Sequence, residues 1–195
     1  HHFRFHHGTG RLRQDSFGST VKVNYLRFWL LFAGVLLLDQ ASKAWVVENS
    51  VELRRNPMEV LDLIEGDPCF LEFTYVTNPG AAWSMFSDYP EVLTLLAVVA
   101  LACIYFFRKN LELAKPPIQI IFGLICGGIV GNLADRIFRE PAEVVDFIDV
   151  YFPIVNYDYP IFNIADSGIF LGAFTYLFLS FSQTRKDKPA RKENK

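Results

Sequence analysis

Beyond its first seven residues this chain has no histidine: all four, His1, His2, His6 and His7, stand at the very start. A Ser-His-Asp triad, a Cys-His pair and the usual His-based zinc sites are therefore excluded from the body of the protein. Cysteine is nearly as scarce. Of the three, Cys103 and Cys126 lie inside apolar runs and Cys69 stands alone, with no CxxC spacing, so all three read as small buried hydrophobes and neither a metal site nor a disulfide framework is expected. No cofactor is indicated. Nor is there an excess of one charge: 19 basic residues against 21 acidic ones leave a formal net charge of −2, which gives no hint of nucleic acid or another polyanion as partner. The His-rich start resembles an expression tag and its scar, and residues 1–20 are set aside from functional reasoning.

What the chain does have is apolar sequence, 51% of its residues, gathered into four runs. Each approaches the 20 or so residues that carry a helix across a hydrocarbon core. The expected fold is an all-α polytopic membrane protein with four transmembrane helices at about 25–47, 92–107, 118–137 and 164–181. Residues 21–184 form a single domain and 185–195 a basic tail. Between the first two runs, LEFTYVTN at 71–78 has the aromatic and β-branched bias of a strand and is followed by the turn signal Pro79-Gly80. A small extracytoplasmic strand-rich element is expected there, with Trp83 beyond it as an interfacial anchor. Lys and Arg concentrate in the N-terminal flank, in the 108–115 connection and in the tail. By the positive-inside rule both termini are cytoplasmic, and residues 48–89 and 139–163 lie outside.

That orientation puts polar groups from three helices at one depth. Asp39 and Lys43 in the first run, Asn132, Asp135 and Arg136 in the third, and Asn163 and Asp166 in the fourth all fall near the outer interface. Ionisable groups within a bilayer are costly, roughly 2.5 to 3.5 kcal/mol each near its centre, so convergence on one polar pocket is the economical reading. Blander readings stand beside it. Asp39 and Lys43, four apart, suit an interfacial ion pair with Lys43 snorkelling to the headgroups, or direct lipid-head contact. Asn132, Asp135 and Arg136 suit inter-helix glue, Asn78 a turn, and Asp166 the favourable end of a helix dipole. Asp149 and Asp158 read as solvated loop acids. Gly127 and Gly131 form a GxxxG, a common spacing in such helices.

Without histidine, the available acids and bases are Asp, Glu, Lys and Tyr. Two aspartates a few ångströms apart share a proton, which leaves one carboxylate to activate water and one carboxylic acid to polarise a carbonyl. Periodicity alone does not choose Asp146 over Asp135, which looks the more deeply placed. Asp135 stands beside a cation, Arg136, which favours a permanently ionised structural carboxylate, whereas Asp146 lies among Val144, Val145 and Phe147.

DQASK at 39–43, NPGAAW at 78–83, GNLADR at 131–136, VVDF at 144–147 and FNIAD at 162–166 resemble, in order and spacing, the signature blocks of bacterial lipoprotein signal peptidase. The resemblance spans about residues 25–183; Trp83 departs from the phenylalanine common at its position. It implies an intramembrane aspartic endopeptidase of the bacterial inner membrane, acting near the outer face. Such an enzyme cuts prolipoproteins before a cysteine already carrying diacylglycerol, with phospholipid around it, as a monomer. The implied dyad is Asp146 and Asp166. Asp39, Lys43, Asn78, Gly80, Asn132, Asp135, Arg136, Asn163 and Ala165 fall on supporting or substrate-binding positions. Two rivals are a serine-lysine peptidase built on Ser84 and Lys43 and a small transporter or proton channel using the acids as a relay. Against the latter, the cytoplasmic half offers no polar path and the chain no inverted repeat.

Overall fold

The computed structural model describes residues 24–64, 68–80 and 85–186, with backbone only for 183–186. Five α-helices and a four-stranded antiparallel sheet make up these residues: α1 (Leu26–Glu48), α2 (Ser50–Arg55), β1 (Met58–Leu61), β2 (Leu71–Asn78), α3 (Pro90–Phe106), α4 (Pro116–Phe138), β3 (Val144–Phe152), β4 (Tyr157–Phe162) and α5 (Ile164–Lys186). Three spans are long and apolar enough to cross a membrane: Leu26–Glu48, Pro116–Phe138 and Ile164–Ser182. The fourth, α3, has 17 residues, about 25 Å at 1.5 Å per residue, and packs chiefly against α4. Proline opens both α3 and α4. Its missing N–H costs nothing in a first turn, and its fixed φ suits the helix.

The middle helix of the bundle is α4, with α1 on one side and α5 on the other. Its GxxxG is the seam with α1. A Cβ on Gly127 would lie 2.8 Å from the Phe32 carbonyl oxygen, and one on Gly131 would lie 2.7 Å from Asp39 Oδ2. Only glycine allows this approach, which brings the polar ends of α1 and α4 into direct contact.

The sheet has the order β1-β2-β3-β4. β2 occupies the strand expected at 71–78, but the sheet is larger than the sequence suggested. Residues 144–162 supply two more strands, and Asp149 and Asp158 are strand residues rather than loop acids. β2 from one inter-helix segment pairs with β3 from the other, so both segments lie at the same end of the bundle. Strand alternation sorts β3 into two faces. Val145 and Phe147 pack with Val46 and Leu53 in an apolar cluster against α1 and α2, while Asp146 points the other way, towards α4 and α5.

Candidate active site

Asp146 and Asp166 reach one cavity from different elements. Asp146 lies in the middle of the sheet, opposite Val76; Asn78 is opposite Val144 on the same pair of strands. Asn78 and Asp146 are therefore diagonal neighbours on one face, and Asn78 Nδ2 donates to Asp146 Oδ2 at 3.1 Å. Asp166 sits in the first turn of α5 in a reciprocal cap. Its backbone N–H donates to Asn163 Oδ1 at 2.9 Å, and the Asn163 N–H donates to Asp166 Oδ2 at 3.3 Å. This is the geometry of a capping box, with Asn and Asp in place of the usual pair.

Two amides join the carboxylates. Asn163 Nδ2 donates to Asp146 Oδ1 at 2.7 Å and to Asn132 Oδ1 at 3.1 Å; Asn132 Nδ2 donates to Asp166 Oδ1 at 2.7 Å. Each oxygen of each aspartate thus accepts an N–H, and the four side chains form one connected unit. The cavity above it holds about 400 Å³ and is lined by Asn78, Gly80, Asn132, Arg136, Asp146 and Asp166 on its polar side and by Tyr159, Phe162, Ile169 and Phe170 on its apolar side. A more apolar cavity of about 440 Å³ shares Tyr159, Phe162, Asp166 and Phe170 with it and continues past Val150, Phe152 and Leu171. Asp146 is 3% exposed. Burial, reinforced by the charge of Asp166, pushes its carboxyl up to about 7, against the opposing pull of the Asn78 and Asn163 donors.

The profile of the family described as signal peptidase (SPase) II matches residues 31–182. The chain belongs to the signal peptidase II family. It is 34% identical over 161 residues to the lipoprotein signal peptidase of Listeria welshimeri serovar 6b, an alignment covering 83% of this chain and 97% of that protein. Two solved structures described as bacterial membrane enzymes, determined by the in meso method at 2.3 and 1.9 Å, superpose with TM-scores of 0.68 and 0.59. They share 29% and 30% of residues and cover 86% and 79% of this chain, and 94% and 91% of their own. As a member of the signal peptidase II family the protein is a peptidase whose apolar helices suit a membrane.

Within this signal peptidase II chain, Trp83 and Ser84 lie outside the described residues, while Asp39, Lys43, Asn78, Gly80, Asn132, Asp135, Arg136, Asn163 and Ala165 take places in or beneath the cavity. Several do so in unexpected ways. Asp39 and Lys43 are fully buried at 0% exposure, so Lys43 neither snorkels nor meets a lipid headgroup. Its Nζ lies 2.8 Å from Asp39 Oδ2, 2.8 Å from Asp135 Oδ2 and 2.9 Å from Asn132 Oδ1. All three N–H donors are used, and Lys43 does not line the cavity. Asp135 is partnered by Lys43 and by Arg139, whose Nε lies 2.8 Å away, not by Arg136. Adjacent helical residues diverge by about 100°, whereas residues four apart share a face. Arg136 instead turns to the cavity and donates from Nη2 to the Gly80 carbonyl at 2.8 Å, with its Nε buried and unpartnered. Gly80 N–H in turn donates to Asn78 Oδ1, so Asn78 is both a turn residue and a site residue.

Of the apolar residues beside Asp146 in sequence, Val144 shares its face and lines the cavity with it. Val145 and Phe147 lie on the opposite face, and Asp146 is buried by Asn78, Asn163 and the helices beneath. Ala165 contributes no side-chain chemistry. Its N–H donates to Asp39 Oδ1 at 2.9 Å, and its buried methyl fits against Gly131. Two residues without an assigned role complete the charged cluster: Arg139, and Gln40, whose Nε2 reaches Asp39, Asp135 and the Gly131 carbonyl. The i, i+4 relation of Asp135 to Arg139 was the available signal for the first.

Proposed function

We propose that this protein is an intramembrane aspartic endopeptidase that removes the signal peptide from diacylglyceryl-modified prolipoproteins, cutting before the lipidated cysteine. The observation that carries this reading is the pairing of two buried carboxylates from β3 and α5, bridged by Asn132 and Asn163 and opening on one cavity. Such a pair holds one proton between two acids at neutral pH. The ionised aspartate takes a proton from water as its oxygen attacks the scissile carbonyl, and the protonated partner gives its proton to the carbonyl oxygen. The tetrahedral diol that results collapses when the first aspartate gives its proton to the leaving nitrogen and the second, now ionised, takes one back from a diol hydroxyl as the C–N bond breaks and the carbonyl re-forms. Carboxylate, acid and free amine are then restored or released with no net change in the pair.

Arg136 and the Gly80 segment border the polar side and are suited to hold the peptide backbone near the cut. Phe162, Phe170 and the adjoining apolar cavity offer the substrate a surface continuous with the lipid. Four spans, with α3 as the second, put both termini in the cytoplasm and the sheet with its dyad at the outer face, in line with the Lys and Arg distribution. The test is cleavage of a diacylglyceryl-modified prolipoprotein in detergent by the wild type, Asp146→Asn and Asp166→Asn, with and without chelator. Each variant should lose activity on the order of 10³-fold or more, and chelator should have no effect. Full activity in either variant, or loss on chelation alone, defeats the assignment.

A further inference from the structure

The charged cluster beneath the cavity touches neither carboxylate of the dyad, yet its bonds end next to both. Asp39 Oδ1 accepts the N–H of Ala165, the residue before Asp166, at 2.9 Å. Asp135 Oδ2 accepts the N–H of Val145, the residue before Asp146, at 3.2 Å. Lys43 Nζ sits between these two carboxylates at 2.8 Å from each. Its third N–H goes to Asn132 Oδ1, which also accepts from Asn163. With both acceptor positions filled, the Asn132 carboxamide has one usable orientation. Turned over, it would set its NH₂ against the buried ammonium of Lys43 and the buried NH₂ of Asn163. Asn132 Nδ2 is thereby aimed at Asp166 Oδ1.

From these contacts we infer that Lys43 is a positioning residue for peptide hydrolysis. By bridging Asp39 and Asp135 it fixes the spacing of the strand and helix that carry Asp146 and Asp166, and through Asn132 it fixes the donor that Asp166 receives. Charge neutrality alone does not require this arrangement. A buried ion pair is often replaceable by apolar residues of similar volume without loss of stability, so the third bond, to Asn132, is the feature that ties the cluster to the chemistry.

This inference rests on the dyad reading above, and its test separates the two. Lys43→Met alone would leave the buried Asp39 carboxylate without a cation, while Asp135 keeps Arg139, so the informative variant is Asp39→Asn with Lys43→Met. It keeps the cluster neutral and keeps an oxygen at residue 39 for the Ala165 N–H. It is compared with Asn132→Leu, with the triple combination, and with Asp146→Asn and Asp166→Asn as controls, all as purified full chains cleaving the same lipidated substrate. The double variant and Asn132→Leu should each lower kcat on the order of 100-fold, the size expected for a small misplacement of reacting groups. KM should change by no more than about twofold and the alkaline limb of the pH profile should move. The triple variant should lose little beyond either, because both act through one amide.

A folded double variant with wild-type kcat, a rise in KM with kcat unchanged, or a multiplicative loss in the triple variant overturns the proposal. If the double variant does not fold, Asn132→Leu alone decides: it retains Lys43 and its ion pairs, and an unchanged kcat and pH profile in it has the same consequence. Inactive dyad controls beside a fully active double variant refute the positioning role alone. Active dyad controls refute the dyad.

Discussion

Replacing Asp146 by Asn tests whether a carboxyl at this place is held protonated by its surroundings. A pKa moved from 3.8 to about 7 is roughly a thousandfold change in proton affinity, about 4 kcal/mol. Because the folded value is the raised one, the unfolded chain gives up the proton first. The wild type therefore loses stability as pH rises from about 4 to about 7, and the full loss is present above that window. Asparagine does not titrate and escapes this loss, but it brings a cost of its own. Asn78 and Asn163 both donate to Asp146, and asparagine offers only one oxygen, so one buried N–H faces an NH₂ at about 1 to 3 kcal/mol.

The difference between the two proteins should therefore change sign. Near pH 4 Asp146→Asn should be the less stable by about 1 to 3 kcal/mol, and near pH 8 the more stable by a similar amount. Thermal or denaturant unfolding of both proteins in the same detergent, at intervals from pH 4 to pH 8, measures this. A stability difference that stays constant across the range refutes the reasoning, since it would mean that Asp146 titrates alike in folded and unfolded chains.

The same raised value predicts a kcat/KM that falls above about pH 7 as the shared proton is lost, a limb that belongs to the pair rather than to either acid. Asn78→Ala removes a donor that favours the ionised form, so it should move that limb to higher pH; a limb that stays or falls contradicts the role given to Asn78. Gly131→Ala would put a methyl 2.7 Å from Asp39 Oδ2 and should cost about 1 to 3 kcal/mol of stability by overpacking, read as a lower unfolding midpoint, and an unchanged midpoint counts against the tight seam. On the far face of the sheet Glu59 is paired with Glu72, and Glu72 with Asp149. Burial first, then the charges of Asp158 and Glu72, raise Asp149 to about 6. Asp149→Asn should thus stabilise the protein by about 0.5 kcal/mol at pH 7 and by nothing near pH 4, and equal effects at both pH values would exclude like-charge repulsion as the cause.

Much of the helical frame was legible in the residues because a bilayer-spanning helix needs a long apolar run, and few other structures use one. The strand at 71–78 was legible for its β-branched and aromatic bias. β3 and β4 were not: VVDFIDVYF and YDYPIF carry acids and a proline, and the pairing of β3 with β2 is a long-range event that no local pattern announces. Polar residues clustered at one depth could also be recognised, since charge within a membrane demands partners. Which partners they take was not recoverable. Lys43 could be expected to meet Asp39 one turn away, but Asp135, Asn132 and the backbone of β3 reach the cluster only through the packing of α1 on α4 and of α4 on the sheet.

The sequence by itself therefore determined the apolar helices, the exclusion of histidine chemistry, and the short list of acids. The tertiary structure decided which acids face one another. Strand alternation turns Asp146 towards α5, and helix phase sends Asp135 to Lys43 while Arg136 turns to the cavity. Glycines along α4 let α1 approach closely enough for one buried ammonium to reach all three of its partners.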